Sequence, residues 1–241
     1  GRDTNYLKKK FPNRNFDYHN YRDFNGDTMI DAMMEIVKNN GYVVIMGDEV
    51  AENINVNHPK IIHYNKLYRS DFLEVFLSVK AKFFVGNSSG LKAIANAFDV
   101  PIACVNQIGY NIMIQQANSL MIYKKLFCKK RKRILTFDEI KDLNLFGLND
   151  INLGYVSKFY EINDLIPIEN SSQEILFLIK EMLEYLKTEA TIIKPTKQQI
   201  NFKKKYFVNY VDIDKASNIS QSFLEINKSL FFNYKPRIKN K

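Results

Sequence analysis

The order of apolar and polar positions predicts alternating strands and helices in the first half of the chain. Short apolar runs, bounded by Gly, Pro or Asn, are typical of buried strands. These runs are Tyr42–Met46, Lys60–Tyr64, Phe83–Gly86 and Ile102–Val105. Helical spacing of apolar residues follows within Ser70–Val79 and within Ser89–Phe98. This alternation predicts an α/β fold with a Rossmann-like parallel sheet and helices on both faces.

Other patterns predict helix ends and helix faces. Asp27 is expected to cap a helix over Thr28–Asn39, and two capping boxes place helix starts after Thr136 and Ser171. The helix over Ser70–Val79 is expected to bury its apolar positions, which are Phe72, Val75, Phe76 and Val79. Short strands are also predicted over Leu120–Ile122 and Leu165–Ile168.

The turn after the third predicted strand has the features of an anion site. Gly86 ends the strand, and a run of small polar residues follows it: Asn87, Ser88, Ser89 and Gly90. A helix that begins here points its free N–H groups and the positive end of its dipole at the carboxyl edge of the sheet, where α/β proteins bind phosphate. The alternative is an ordinary strand–helix turn whose polar residues only cap the helix.

Composition and charge narrow the classes of function. The 241 residues carry a net charge of +9, which suits polyanionic partners such as nucleotide diphosphates, anionic lipid or nucleic acid. Cys104 and Cys128 form no cluster with His, so we expect no metal site. Sequence motifs of serine hydrolases, zinc proteases and P-loop ATPases are missing. No apolar run approaches the roughly 20 residues that span a bilayer.

Two segments concentrate positive charge. Tyr6–Tyr21 mixes basic and aromatic residues and is predicted to be a loop, which either contacts a base, sugar and phosphate or packs its rings on the domain. Lys124–Arg133 contains seven Lys or Arg residues and is predicted to lie on the surface. It is either a solvated loop or a contact for an anionic membrane. Each basic residue near such a surface strengthens binding by about 1 kcal/mol.

Short segments spread over most of the chain carry a resemblance to a known family. They are Gly1-Arg2-Asp3, Phe11-Pro12, Tyr18-His19-Asn20-Tyr21-Arg22, Arg69-Ser70-Asp71-Phe72, Val85-Gly86-Asn87-Ser88-Ser89-Gly90, Glu169-Asn170, Ile219-Ser220 and Ser222-Phe223-Leu224. In them the chain resembles a family of bacterial glycosyltransferases linked to surface-carbohydrate synthesis. It is similar, more distantly, to the donor-binding half of GT-B fucosyltransferases.

The resemblance implies a GT-B C-terminal-type domain that transfers a sugar from a UDP- or GDP-linked donor to a glycan or lipid-linked acceptor, with no metal or other cofactor. The donor site that it implies consists of Arg2, Arg69, Asn87, Ser88, Ser89 and Gly90. These groups would stabilise the leaving diphosphate. The family tends to have Arg where Ile45 stands, and this missing cation is expected to weaken diphosphate binding.

The implied catalytic base is Asp3 or His19, although a lone His in an aromatic loop is more often structural. The implied acceptor-binding residues are Tyr18, Tyr21 and Arg22. The expected location is cytoplasmic, with peripheral contact at the inner face of the cell membrane through Lys124–Arg133. Residues 1–187 are expected to form the nucleotide-sugar-binding domain. Residues 188–241 are expected to form a helical extension, which packs on that domain or on a further N-terminal region ahead of Arg2.

Two alternatives belong to other classes. A sugar-nucleotide epimerase of related fold would share the phosphate-binding helix but need no acceptor. A basic nucleic-acid-binding domain would lose affinity steeply with salt, and it ranks last because no nucleic-acid-binding motif is present.

Overall fold

The computed structural model of the chain describes residues 4–23, 25–47, 54–64, 69–146, 153–188, 190, 192–208 and 212–231. The strands are β1 (Val43–Val44), β2 (Ile61–Ile62), β3 (Phe84–Gly86), β4 (Ile102–Gln107), β5 (Leu120–Tyr123), β6 (Lys125–Cys128), β7 (Arg133–Ile134), β8 (Leu165–Ile168) and β9 (Asn218–Ile219). The α-helices are α1 (Thr4–Lys10), α2 (Ile30–Lys38), α3 (Asp71–Lys80), α4 (Gly90–Ala97), α5 (Phe137–Asp142), α6 (Leu153–Ile162), α7 (Ser172–Lys187), α8 (Lys197–Tyr206), α9 (Gln221–Ile226) and α10 (Lys228–Phe231). Short 3₁₀ helices cover Asp17–Arg22, Gly26–Met29 and Ile213–Lys215.

The sheet at the centre of the described residues has four parallel strands in the order β3–β4–β5–β9. Its register pairs Gly86 with Cys104, and Cys104 with Met121. Every residue of β4 and β5 is buried, as is usual in strands of a covered parallel sheet. Helix α4 packs on β3 and β4, and α7 packs on β4 and β5. The fold is therefore mixed α/β, with a parallel sheet flanked by helices.

The predicted parallel pairing is confirmed, but the predicted strands divide between two ladders. Strand β1 pairs with β2, and β3 with β4, each in parallel. Among the described residues, β1 and β2 form a two-residue pair of their own. Val43 and Val44 are only half-buried, so this pair lacks the full burial that marks the central strands.

A second, antiparallel sheet adjoins the first. Its order is β7–β6–β8, and the predicted strand Leu165–Ile168 takes part in it as β8.

Rings pack tightly around the fully buried Phe137, whose ring centroid lies 4.3 Å from that of Phe231. Each such ring pair contributes roughly 0.5–1.5 kcal/mol beyond its buried area. The other rings around Phe137 belong to Tyr110, Tyr123, Phe146, Phe202 and Tyr206.

The N-terminal segment is more regular than the predicted loop over Tyr6–Tyr21. Helix α1 and the 3₁₀ helix Asp17–Arg22 occupy most of it, because Pro12 and its Asn neighbours interrupt the helical structure only between them.

The cap predicted at Asp27 is also wrong. Asn25 Oδ1 accepts the Asp27 N–H at 3.0 Å, and a 3₁₀ turn precedes α2.

The predicted inward face of α3 is wrong. Phe72 is 74% exposed, Val75 41% and Phe76 44%. Among the described residues of α3, Ser78 is the buried one, and its Oγ donates to the Glu74 carbonyl at 2.7 Å. Periodicity identifies an apolar stripe on a helix, but it does not say which surface the stripe meets.

The predicted helix starts in the second half of the chain are confirmed. Thr136 and Ser171 form capping boxes with Glu139 and Glu174, which start α5 and α7. Within residues 188–241, which are predicted to be a helical extension, α9 packs on α7, and β9 pairs with β5. The division of the chain at residue 187 stays a prediction.

Candidate functional site

The N-terminus of α4 lies at the carboxyl edge of the parallel sheet. Ser89 takes an extended conformation before Gly90, and its side chain makes no capping bond. The backbone N–H groups of Ser88 and Ser89 donate to no other described residue. A Cβ added at Gly90 would meet no atom of a residue outside its own turn within 4 Å, so the space beside Gly90 is open. Free N–H groups at the positive end of a helix dipole favour an anion.

Arg22 brings a positive charge to this helix end. Its Nη2 donates to the carbonyl of Ser88 at 3.0 Å and lies 3.4 Å from Ser88 Oγ. In return, Asn87 Nδ2 donates to the Arg22 carbonyl at 3.0 Å. The 3₁₀ helix Asp17–Arg22 is thus bonded directly to the turn between β3 and α4.

Asn87 carries a second sign that the edge binds polar groups. Its side chain is 2% exposed, and its Oδ1 has no hydrogen-bond partner among the described residues. A buried acceptor without a donor costs about 1–3 kcal/mol, so most such atoms in proteins have a partner or bind water or ligand. An unsatisfied acceptor beside the α4 N-terminus suits a hydroxyl or amide donor of a ligand.

Lys124 holds the N-terminal segment over the same edge. It follows β5, is 2% exposed, and donates from Nζ to the carbonyls of Tyr21 at 3.2 Å and Asp23 at 2.5 Å. Burial lowers the pKa of Lys124, and the nearby Glu169 and Asp23 oppose that shift. Glu169 also accepts the backbone N–H of Asn25 at 2.8 Å. Residues 21–23 and Asn25 are therefore held at the ends of several strands.

A pair of asparagines joins the ends of β4 and β8. The Asn106 N–H donates to Asn170 Oδ1 at 2.6 Å, and the Asn170 N–H donates to Asn106 Oδ1 at 2.7 Å. Asn106 has a φ of 52°, a left-handed conformation that Asn adopts more readily than most residues. Its Nδ2 is buried without a partner among the described residues. Sequence reasoning did not assign Asn106 or Lys124 to the site, although Asn106 directly follows the predicted strand Ile102–Val105 and Lys124 lies two residues after the predicted strand Leu120–Ile122.

The remaining predicted site residues are distributed as follows. Arg2 and Asp3 lie outside the described residues, as does the side chain of Tyr18. His19 is buried, at 7% exposure, with its ring 6.4 Å from that of Phe16, and it shares one 3₁₀ helix with Arg22. Tyr21 packs edge-to-face on Tyr160, with ring centroids 5.5 Å apart.

Arg69 and Arg22 occupy different surroundings. The Nε of Arg69 pairs with Glu74 of α3 at 3.0 Å, and the Arg69 side chain is 41% exposed. Arg22 instead contacts Ser88. The structure thus brings together Arg22, Asn87 and Ser88 of the predicted residues, and it adds Lys124 as the residue that fixes the covering segment.

The basic run Lys124–Arg133 only partly matches its prediction. Lys129–Lys132 are exposed, as expected, but Lys124 is buried because backbone carbonyls solvate its ammonium group. Lys125 lies in β6 and pairs with the buried Glu174 at 2.6 Å. Glu139 accepts from Arg131 and Arg133, and Lys130 lies 3.3 Å from Asp164. Most charges of the run therefore have partners within the chain.

The described residues contain no group of three or more His, Cys, Asp or Glu side chains placed to hold a metal ion. Within the same described residues, no helix is long and apolar enough to cross a membrane.

No family model matches the chain, and comparison with curated proteins and with solved structures finds no significant similarity to any of them.

Proposed function

We propose that the carboxyl edge beside α4 binds the diphosphate of a nucleotide sugar, and that the chain is a GT-B-type glycosyltransferase or its donor-binding part. The observation that carries this proposal is the contact between Arg22 and Ser88 at the open N-terminus of α4. A guanidinium group and helix N–H groups that share one position complement a pyrophosphate better than a single phosphate contact would.

In this proposal the site supports departure of the diphosphate. The bond between the anomeric carbon and the diphosphate oxygen breaks, and its electron pair stays on that oxygen. Arg22 and the N–H groups of Ser88–Gly90 stabilise the new charge. The anomeric carbon forms a bond to the acceptor oxygen, whose proton passes to a base. Asp3 and His19 stay the candidates for that base.

The roles of two cations differ from those expected from the resemblance. Arg22 contacts the α4 turn, so we propose it for the diphosphate rather than for the acceptor. Arg69 is proposed as a secondary contact only, because Glu74 already neutralises part of its charge. The side chains of Asn87 and Asn106 are proposed to bind hydroxyl or base groups of the donor through their unsatisfied atoms.

A contact with anionic membrane through Lys124–Arg133 stays a weaker proposal. Among the described residues, Lys129 and Lys132 are the members of this run with no hydrogen bond or ion pair from the side chain. At about 1 kcal/mol for each basic residue, two such charges give only marginal binding.

Thermal unfolding of the purified chain with a panel of nucleotide ligands tests the proposal. The panel holds UDP, GDP, ADP, their common sugar conjugates and inorganic pyrophosphate. A ligand at 100 times its Kd raises the free energy of unfolding by about 2.7 kcal/mol, which is readily seen as a higher Tm. We expect one nucleoside diphosphate and its sugar conjugate to raise Tm. No shift with any member would contradict the proposal.

Product analysis separates the transferase from its alternatives. The bound nucleotide sugar is incubated with and without glycan acceptors, and the products are separated and weighed by mass spectrometry. Transfer to an acceptor supports the glycosyltransferase. Conversion of the sugar without acceptor identifies an epimerase instead, and salt-sensitive binding of nucleic acid without nucleotide-sugar binding would support the third alternative.

A further inference from the structure

The outer face of α3 carries an apolar stripe that the described residues leave in contact with water. Phe72, Val75 and Phe76 are well exposed, and the two Phe rings stack with centroids 6.0 Å apart. Val79 continues the same face one turn later. Positions i, i+3, i+4 and i+7 are the spacing by which one helix packs on another. A contiguous apolar surface of this kind marks an interaction site.

The inner face of α3 shows why the stripe points outward. Leu73 and Leu77 are half-buried, Ser78 is buried, and α3 packs on α4. The inner face thus attaches the helix to the domain. The outer stripe therefore contributes little to folding of one chain, and its apolar surface is available for association.

We propose that this outer face binds the same face of a second copy of the chain, as an antiparallel helix pair. The first turn of α3 carries Asp71, whose exposed carboxylate is available because Glu74 is the residue that pairs with Arg69, and the last turn carries Lys80. A two-fold axis across the stripe places the acidic end of one helix beside the basic end of the other and opposes the two helix dipoles. Parallel pairing would place like charges together. Charge complementarity thus selects the antiparallel form.

The antiparallel arrangement fixes which residues meet. With the axis between Val75 and Phe76, the centre of the stripe, Val75 of one copy lies beside Phe76 of the other, and the two Val75 positions are offset by only about 1.5 Å along the helix. Phe72 of one copy lies beside Val79 of the other. From the rise of 1.5 Å per residue, the two Phe72 positions are offset by about 10 Å along the helix.

Light scattering after size exclusion tests the association over a range of concentrations. We expect a concentration-dependent dimer, and we expect Phe76→Ser to weaken it at least tenfold. Ile162→Ser, which changes a residue that is 65% exposed on α6, is the matched control and should leave the dimer unchanged. Circular dichroism checks that both variants fold. A monomer at every concentration, or a dimer insensitive to Phe76→Ser, would overturn the proposal.

Oxidative cross-linking tests the antiparallel geometry. The native Cys104 and Cys128 are buried, so an introduced thiol reports on its own position. In Val75→Cys, two thiols should form one disulfide between copies as diamide takes up two electrons and two protons. Phe72→Cys should cross-link much more slowly, because its thiols are offset. Equal rates in the two variants, or faster reaction of Phe72→Cys, would refute the antiparallel pair.

Discussion

At the carboxyl edge of the sheet, single side chains fix the covering segment by bonding to backbone atoms. Arg22, Asn87 and Lys124 each donate to a carbonyl of a segment distant in sequence. Backbone carbonyls cannot move without moving the chain, so these bonds fix the backbone of residues 21–23 as well as the positions of the side chains. Loss of one donor would leave a partly buried carbonyl unsatisfied, at about 1–3 kcal/mol.

Glu139, which lies away from the site, stabilises the fold in a way that depends on pH. The hydrogen bond from Arg133, opposed in part by burial, lowers the Glu139 pKa from 4.5 to about 2. The folded state thus favours the carboxylate, so its contribution is full above pH 4.5 and disappears as the pH falls toward 2. We expect Glu139→Gln to lower the free energy of unfolding by about 1–3 kcal/mol at pH 7, with a smaller difference at pH 3.

Urea denaturation at both pH values measures this difference. Glu184→Gln is the control, since Glu184 is 71% exposed and makes a surface pair with Lys187. That pair is worth less than about 1 kcal/mol. A Glu139→Gln effect that is the same at pH 3 as at pH 7 would contradict this charge-dependent stabilisation, because Gln keeps the capping box and removes only the charge.

At the scale of elements, the 3₁₀ helix Asp17–Arg22 and the residues that follow it form the roof of the candidate site. The helix packs on α6, and the chain beyond it is tied to the turn before α4, to the end of β5 and to the end of β8. A short 3₁₀ helix is weak by itself. Its position therefore depends on these hydrogen bonds, and Lys124 donates two of them.

Lys124→Met removes both bonds from its ammonium group while keeping a side chain of similar length. We expect faster amide hydrogen exchange in residues 19–25 and a free energy of unfolding lower by about 1–3 kcal/mol. Lys129→Met, at an exposed position of the same basic run, should change neither quantity. Unchanged exchange in Lys124→Met would mean that the segment is held by its other contacts.

The sequence was sufficient for features whose cause is local. Capping boxes at Thr136 and Ser171 depend on residues three apart, and the strands before and after α4 are short apolar runs, so both could be predicted. The roof of the site could not be predicted, because Arg22 meets Ser88 across 66 residues. The burial of Lys124 was missed for a related reason. A run of charged residues predicts solvent exposure, and a buried ammonium group needs carbonyl acceptors that only a distant segment supplies here.

The outward stripe of α3 shows another limit of sequence patterns. A stripe at helical spacing predicts that the helix has an apolar face, and that part is correct for Phe72, Val75 and Phe76. Whether the face meets the core of its own chain or another surface depends on where the helix attaches. The helix attaches by its other side, where Leu73 and Leu77 are half-buried and Ser78 is buried. The predicted apolar stripe did not include these three residues.

At the scale of the whole molecule, net charge and site position point to the same class of ligand. The chain carries +9, and the basic run that looked most like a membrane contact is largely neutralised internally. Positive potential at the carboxyl edge comes instead from Arg22 and the α4 N-terminus. A diphosphate directed there would meet both, in the position where parallel sheets bind ligands.

Calorimetric titration of two variants of α4 tests whether this helix end binds a diphosphate, with the nucleoside diphosphate that raises Tm most in the wild-type chain. Gly90→Leu fills the open space beside the first residue of the helix, whereas Ala93→Leu adds the same side chain at an exposed position one turn later. Both variants should fold, because neither replaced residue is buried. We expect wild-type affinity for Ala93→Leu and at least a hundredfold loss of affinity for Gly90→Leu, about 2.7 kcal/mol. Wild-type affinity in a folded Gly90→Leu variant would contradict diphosphate binding at this helix end.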